Sequence, residues 1–236
     1  MVKKAVAAKP TFSLVAEDTP QHVLASEASG RGNENVGQQL AIPRIKLLQK
    51  MSNEVDKHHA AYVEGAEPGQ FVNTITGKNY GSELYAISLS FNTEYNVWRD
   101  IEKGGGFKGS FSTLGEAEKR VAEQDVPLDH EIKETHAHLL LLKDPETGEL
   151  DPTPCVMDFA SAKLRVSKAW NSQIGMKGRD RFSGLWCVSG VPTENKMGKA
   201  FMNVDVSWVG WAHDEDYLAA EKMYEAHANT SFSAAA

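Results

Sequence analysis

From Leu84 to Phe91 the chain alternates. Tyr85, Ile87, Leu89 and Phe91 fall on one side of an extended backbone, and Leu84, Ala86, Ser88 and Ser90 fall on the other. A period of two predicts a β-strand, because successive side chains leave a pleated backbone on opposite faces. The pattern returns near the end of the chain. In Lys199 to Trp211, residues Ala200, Met202, Val204, Val206 and Trp208 oppose Phe201, Asn203, Asp205, Ser207 and Val209. Gly184 to Val191 reads as the strand before it, and the turn-forming residues Thr193 to Gly198 join the two as a hairpin. One apolar face and one partly wet face is the pattern of an antiparallel sheet.

Shorter segments extend that sheet. Phe71 to Ile75 reads as a strand between Pro68-Gly69 and Thr76-Gly77. Thr135 to Leu142 reads as a strand with Leu139 to Leu142 in the core. Tyr95 to Arg99 is expected to pair with the Leu84 to Phe91 strand across a polar turn at Asn92-Thr93-Glu94. The first dense apolar set is Ile42, Ile45, Leu47 and Leu48. Pro43 biases Ile42 to an extended conformation, so the segment is either a strand or a short helix with proline in its first turn.

Three stretches read as helices. Thr113 and Glu116 have capping-box spacing at the head of Thr113 to Gln124. In Phe159 to Ile174 the residues Ala162, Val166, Trp170 and Ile174 recur every four positions, a helical stripe. A third helix starts at Asp214. Strands and helices together predict an α+β fold. Residues 1–36 lack apolar periodicity and read as a flexible arm. Residues 37–212 read as one α+β domain, and residues 213–236 as an acidic helix and tail.

Charge singles out one window. The chain has 25 Lys and Arg against 32 Asp and Glu, a net charge of -7. Phe159 to Arg181 runs the other way, with Lys163, Arg165, Lys168, Lys177, Arg179 and Arg181 against Asp180 alone. Trp170 and Asn171 sit inside it. A basic island with an aromatic ring suits a single nucleic-acid strand, because cations neutralise phosphates while rings stack on bases. The overall acidity argues against a protein that coats duplex DNA by bulk charge. The bland reading of the same window is a helix anchored by Trp170 with its charges in water. A second cation-aromatic pair is Trp98-Arg99, and Arg44 and Lys46 add charge beside the first apolar segment.

Catalytic signatures do not emerge. The sequence has neither a Gly-x-Ser-x-Gly elbow nor a His-Glu-x-x-His helix. Gly104 to Gly109 lacks the Gly-Lys-Ser/Thr ending of a phosphate loop and reads first as a connector. His136 and His138 share one face of a strand, a geometry that can bind metal, but no third ligand follows at a recognisable spacing. Cys155 and Cys187 read as reduced thiols. The start of the chain has no continuous apolar core of a signal peptide, and the longest apolar run, Leu139 to Leu142, is too short to span a bilayer. The expectation is a non-enzymatic protein without metal or cofactor, soluble and cytoplasmic.

Several blocks together resemble a family of tailed-phage single-stranded DNA-binding proteins, over roughly residues 37–211. They are Ile42-Pro43-Arg44-Ile45-Lys46-Leu47-Leu48-Gln49, Pro68-Gly69, Asn73-Thr74-Ile75-Thr76-Gly77, and Ser161-Ala162-Lys163 through Trp170-Asn171-Ser172. The resemblance implies an OB-like barrel acting in phage DNA replication or recombination, in the host cytoplasm. Arg44, Lys46, Lys163, Lys168, Trp170 and Asn171 are the positions it carries over. On that expectation Lys163, Arg165, Lys168, Lys177, Arg179 and Arg181 meet phosphates, while Trp170, Trp98 and either Phe107 or Tyr95 stack on bases. Ser231 to Ala236 departs from the compact acidic tip of bacterial single-strand binders. Single-stranded DNA is the expected partner. Replication or recombination proteins and self-association stay open as further partners, and a membrane is not expected. Two rivals use the same surface: a phage structural or host-interaction protein, and a single-strand annealing recombination protein.

Overall fold

The computed structural model describes residues 42–227. The arm expected over 1–36, and residues 228–236 of the expected tail, lie outside them. Eight strands and three α-helices occur among the described residues. The strands are β1 (Arg44–Leu47), β2 (Phe71–Asn73), β3 (Glu83–Arg99), β4 (Gly106–Phe111), β5 (His130–Lys143), β6 (Cys155–Ala160), β7 (Gly184–Glu194) and β8 (Ala200–Trp211). The helices are α1 (Leu114–Ala122), α2 (Lys163–Lys177) and α3 (Asp214–His227).

The strands form one sheet in the order β2-β1-β6-β5-β3-β7-β8, with β4 added to β3. It curls into a half-barrel with helices around it, an OB-like α+β architecture. The expected α+β class and antiparallel sheet are observed. Two details differ: the sheet has eight strands rather than the five of an OB-fold, and β1 pairs with β6 in parallel.

Curling gives the sheet two apolar faces. The first buries Leu84, Ala86, Leu140, Leu142, Phe159, Trp186, Val188, Val204 and Val206, with Trp170 and Ile174 of α2 packed among them. The second buries Ile87, Leu89, Leu139 and Leu141, with Phe182 and Ala220 of α3. The four consecutive leucines of β5 therefore alternate between two cores, so this stretch is apolar throughout.

Where the sheet ends approach one another, a side chain spans them. The Gln49 amide donates from Nε2 to the Met202 carbonyl at 2.9 Å, and its Oε1 accepts from the Met202 amide at 2.9 Å. A glutamine amide carries one donor group and one acceptor, as a peptide unit does, so Gln49 substitutes for a strand residue beside β8. Close by, Gly190 lies so near the Gly69 carbonyl that a Cβ there would come within 2.0 Å of its oxygen.

Three element predictions need correction. The turn expected at Asn92-Thr93-Glu94 does not form. The seventeen-residue β3 runs straight through it, paired with β5 along its length and with β4 over Tyr95 to Arg99. Two polar side chains find partners inside the sheet: Ser110 Oγ donates to the buried Glu94 carboxylate at 2.9 Å, and Asn96 Nδ2 donates to Thr135 Oγ1 at 3.0 Å. The Gly104 to Gly109 stretch is not all connector: Gly104 and Gly105 make a tight turn and β4 begins at Gly106. A Cβ on Gly105 would lie 2.4 Å from the Asp100 carbonyl oxygen. Finally, the helix expected from Phe159 starts at Lys163, because β6 continues through Ala160 and Ser161 turns the chain at a φ of 54°. By contrast α1 begins as its sequence directs, with the reciprocal Thr113 and Glu116 capping box in place.

Candidate nucleic-acid interface

Helix α2 carries most of the basic island, and its periodicity sorts the island into two faces. Ser167, Trp170 and Ile174 point inward at spacings of three and four and are buried. Arg165, Lys168, Ser172 and Met176 form an exposed stripe on the opposite side. Gly178, at a φ of 63°, ends the helix in the left-handed conformation that glycine tolerates best. The first turn has no acidic residue and no side-chain cap, yet holds Lys163 and Arg165. Cations there oppose the positive end of the helix dipole, so this end of α2 favours an external anion. Burial holds the Lys163 ammonium below its usual value, while Asp158 pulls in the other direction.

At the other end of α2 the basic residues meet tryptophans. Lys177 Nζ lies 3.9 Å from the Trp208 ring centroid and 5.9 Å from that of Trp211. These are cation-π distances. Trp208 and Trp211 meet edge-to-face at 5.0 Å. Trp211 is 58% exposed and Met176 is 81% exposed. Arg179 is exposed just beyond the helix. Lys177 thus covers Trp208 and leaves a ring surface open on Trp211. Arg165 and Lys168 thus lie on the outer stripe of α2, while Lys177 and Arg179 lie at its C-terminal end, where Lys177 meets Trp208 and the exposed Trp211.

Several residues expected at the interface lie elsewhere. Trp170 is fully buried and stacks on His138 with centroids 4.5 Å apart and planes 8° from parallel, so it cannot receive a base. The periodicity that placed it on the inner stripe of a helix also explains this burial. Asn171 and Arg181 bind each other: Arg181 donates to Asn171 Oδ1 at 2.6 Å. Arg181 also donates to Ser88 Oγ at 2.9 Å and to His138 Nδ1 at 3.2 Å, and burial pushes its pKa down to about 10. Arg44 is ion-paired with Asp158, and Lys46 pairs with Glu54 at 2.8 Å. Asn171 and Arg181 are thus engaged within the fold, and Arg44 and Lys46 each have an acidic partner, Lys46 with its side chain 42% exposed.

Trp98 is 39% exposed and packs edge-to-face on Phe107 at 5.2 Å. Arg99 lies 3.8 Å from the Asp129 carboxylate, which Lys103 also contacts. This second aromatic patch lies on a different part of the sheet. Ile87 of β3 is opposite Leu185, next to the Gly184 that pairs with Trp211, whereas Trp98 is eleven residues further along β3. At about 3.3 Å per strand residue that is roughly 35 Å. Trp211 and Trp98 therefore do not belong to one compact site.

Sequence reasoning missed Trp208 and Trp211. Strand alternation puts positions three apart on opposite faces, so the two rings were not grouped. A register shift lies between them: Gly210 is opposite Leu185 and Trp208 opposite Trp186, so Val209 is an extra residue that resets the alternation. Tryptophans at both ends of Trp208-Val209-Gly210-Trp211, where a strand terminates, were the available signal.

His136 and His138 do share a face, as expected. Their ring nitrogens face Ser167, Glu134 and Arg181. Among the described residues no group of three or more His, Cys, Asp or Glu is placed to hold a metal ion. Cys155 is buried and Cys187 half-buried, and both are free thiols. No described helix is long and apolar enough to cross a membrane.

The model of one protein family, described as Pam3 phage gp34-like protein, matches residues 11–232. No curated protein and no solved structure matches the chain.

Proposed function

The chain belongs to the Pam3 phage gp34-like protein family, and from that premise we propose that it is a non-catalytic single-stranded DNA-binding protein serving phage DNA replication or recombination. The observation that carries this reading is the pairing of the exposed Trp211 ring with Lys177 at the end of a helix that also exposes Arg165 and Lys168, with Arg179 just beyond it. The cations would follow the phosphates, and Trp211 would receive an unstacked base. A stacking platform favours single strands, because bases in a duplex already stack on one another. A net charge of -7 agrees with a local site rather than a coat over duplex DNA.

The role in replication or recombination rests on the resemblance of the Ile42 to Gln49 and Ser161 to Ser172 blocks to tailed-phage single-strand binders. The non-catalytic part has its own support. Ser167, His136 and Glu134 lie in hydrogen-bond sequence, the order of a hydrolase triad, but Ser167 is fully buried under α2. A nucleophile there would have no room for a substrate.

A fluorescence titration with homopolymeric single-stranded DNA at several salt concentrations, with duplex as control, tests the reading. Saturable binding that weakens with salt and is poor with duplex is expected. An unchanged signal at low salt would remove DNA binding and point to a protein partner for the same face.

A further inference from the structure

Beneath α2 runs a chain of hydrogen bonds whose direction is fixed by chemistry. A guanidinium only donates, so His138 Nδ1 accepts from Arg181, at 3.2 Å. The neutral ring then carries its proton on Nε2, which donates to Ser167 Oγ at 2.7 Å. Ser167 passes its own proton to His136 Nδ1 at 2.9 Å. His136 Nε2 donates to the Glu134 carboxylate at 3.1 Å. Each group gives one proton and takes one, from the Arg181 cation on one side to the Glu134 anion on the other.

From α2, Ser167 is held by both imidazoles, and Asn171 accepts from Arg181 at the head of the chain. Phe91 of β3 and Phe159 of β6 close the cluster with apolar edges, at 5.1 Å and 4.9 Å from the His138 ring. The charged and titratable groups facing His138 are thus Arg181 and His136, with Glu134 beyond His136. A proton added at His138 Nδ1 would oppose the Arg181 donor and place two cations together. His138 also stacks on Trp170, from which ring contacts run to Trp186 at 6.1 Å, to Trp208 at 5.0 Å and to Trp211 at 5.0 Å.

We propose that this relay is a proton-sensitive lock on α2, which assembles the nucleic-acid face at neutral pH and releases it on acidification. The inference rests on the reading of α2 and Trp211 as the DNA surface. Burial, the neighbouring Arg181 cation and His136 all hold the His138 pKa well below its ordinary value. Undocking frees the ring to take a proton. Acid therefore favours the undocked helix, about tenfold per pH unit below about pH 6.5, until the docked ring itself titrates.

Hydrogen exchange on the full chain without DNA tests the lock. Between about pH 7.5 and pH 5.5, protection of residues 163–177, corrected for intrinsic exchange, should fall about tenfold per unit below about pH 6.5, and should lie below that of β7 and β8 at every pH, as local undocking requires. His138→Gln keeps one donor and one acceptor but cannot charge, so its α2 protection should be independent of pH. Protection in the native chain that stays level, or that is no lower in α2 than in β7 and β8, overturns the inference. Nitrogen NMR of the native chain adds a readout that needs no variant: both rings should be bare at Nδ1 at neutral pH, and a protonated Nδ1 on either ring overturns the relay. DNA affinity measured in parallel separates the two readings. Affinity that falls with α2 protection supports the switch, and affinity lost without loss of protection contradicts it. An absence of binding at neutral pH sinks the DNA reading and the regulatory role with it, leaving the acid-labile lock to stand or fall on exchange.

Discussion

The side chain of Gln49 and the main chain of Met202 exchange two hydrogen bonds of 2.9 Å, one in each direction. A single amide thereby joins the β1 end of the sheet to β8, where no strand-to-strand pairing does so. That seam ties the Met202 end of β8 to the end of β1.

Gln49→Ala removes both bonds and leaves no replacement. We expect a loss of about 1–3 kcal/mol, read as a lower urea midpoint with an unchanged slope. Gln49→Glu keeps the acceptor but loses the donor, and should fall between the two. Equal midpoints for all three chains would show that the seam is not structural.

Gly190→Ala should be worse than an ordinary surface change. A methyl group 2.0 Å from the Gly69 carbonyl forces two backbone segments apart. The expected cost is above about 2 kcal/mol, in the range of other backbone clashes. Gly115→Ala, a helical position with open space, is the matched control and should stabilise slightly.

Trp170 and Trp211 should respond in opposite ways. Trp170→Ala empties a core site and should cost about 3–5 kcal/mol of stability. Trp211→Ala should leave stability within about 0.5 kcal/mol and lower DNA affinity by about 1–3 kcal/mol. Thermal melts and binding titrations of the two variants make the comparison.

Charge on α2 sets the salt response. Replacing Arg165, Lys168 and Arg179 together by alanine removes three phosphate contacts. At about 0.7 per contact for single strands, the slope of log affinity against log salt should drop in size by about 2. An unchanged slope would move the phosphate path off this helix.

Global stability should also fall with acid through His138. Its folded-state pKa lies below the ordinary value, so the unfolded chain takes up a proton first as pH falls. The contribution is fully present above about pH 6.5 and is lost below it, by up to about 1.4 kcal/mol per unit. Urea midpoints measured from neutral to mildly acidic pH should show this decline in the native chain and a shallower one in His138→Gln.

Much of the fold was legible because its signals are local. The β7–β8 hairpin declared itself by alternation and turn residues, and α1 by Thr113 and Glu116. β3 was cut in two because Asn92, Thr93 and Glu94 look like a turn when their partners are unknown. Those partners, Ser110 and Thr135 among them, lie on other strands. The α2 start was misplaced because Phe159 and Ala160 suit a helix as well as a buried strand, and only Ser161 marks the change. The site was half legible. Charge clustering found the helix, and its period of four already placed Trp170 on the inner face. What the sequence hid was long-range. Arg181 meets Ser88, Arg44 meets Asp158, and Lys177 meets Trp208, all over separations that no local pattern encodes.

The most direct test is a paired titration of the native chain and Trp211→Ala with homopolymeric single-stranded DNA. The account predicts saturable binding by the native chain and an affinity at least about fivefold weaker in the variant, at equal stability. Equal affinities for the two chains would contradict the assignment of Trp211 as the base platform, and with it the α2–β8 surface as the DNA site.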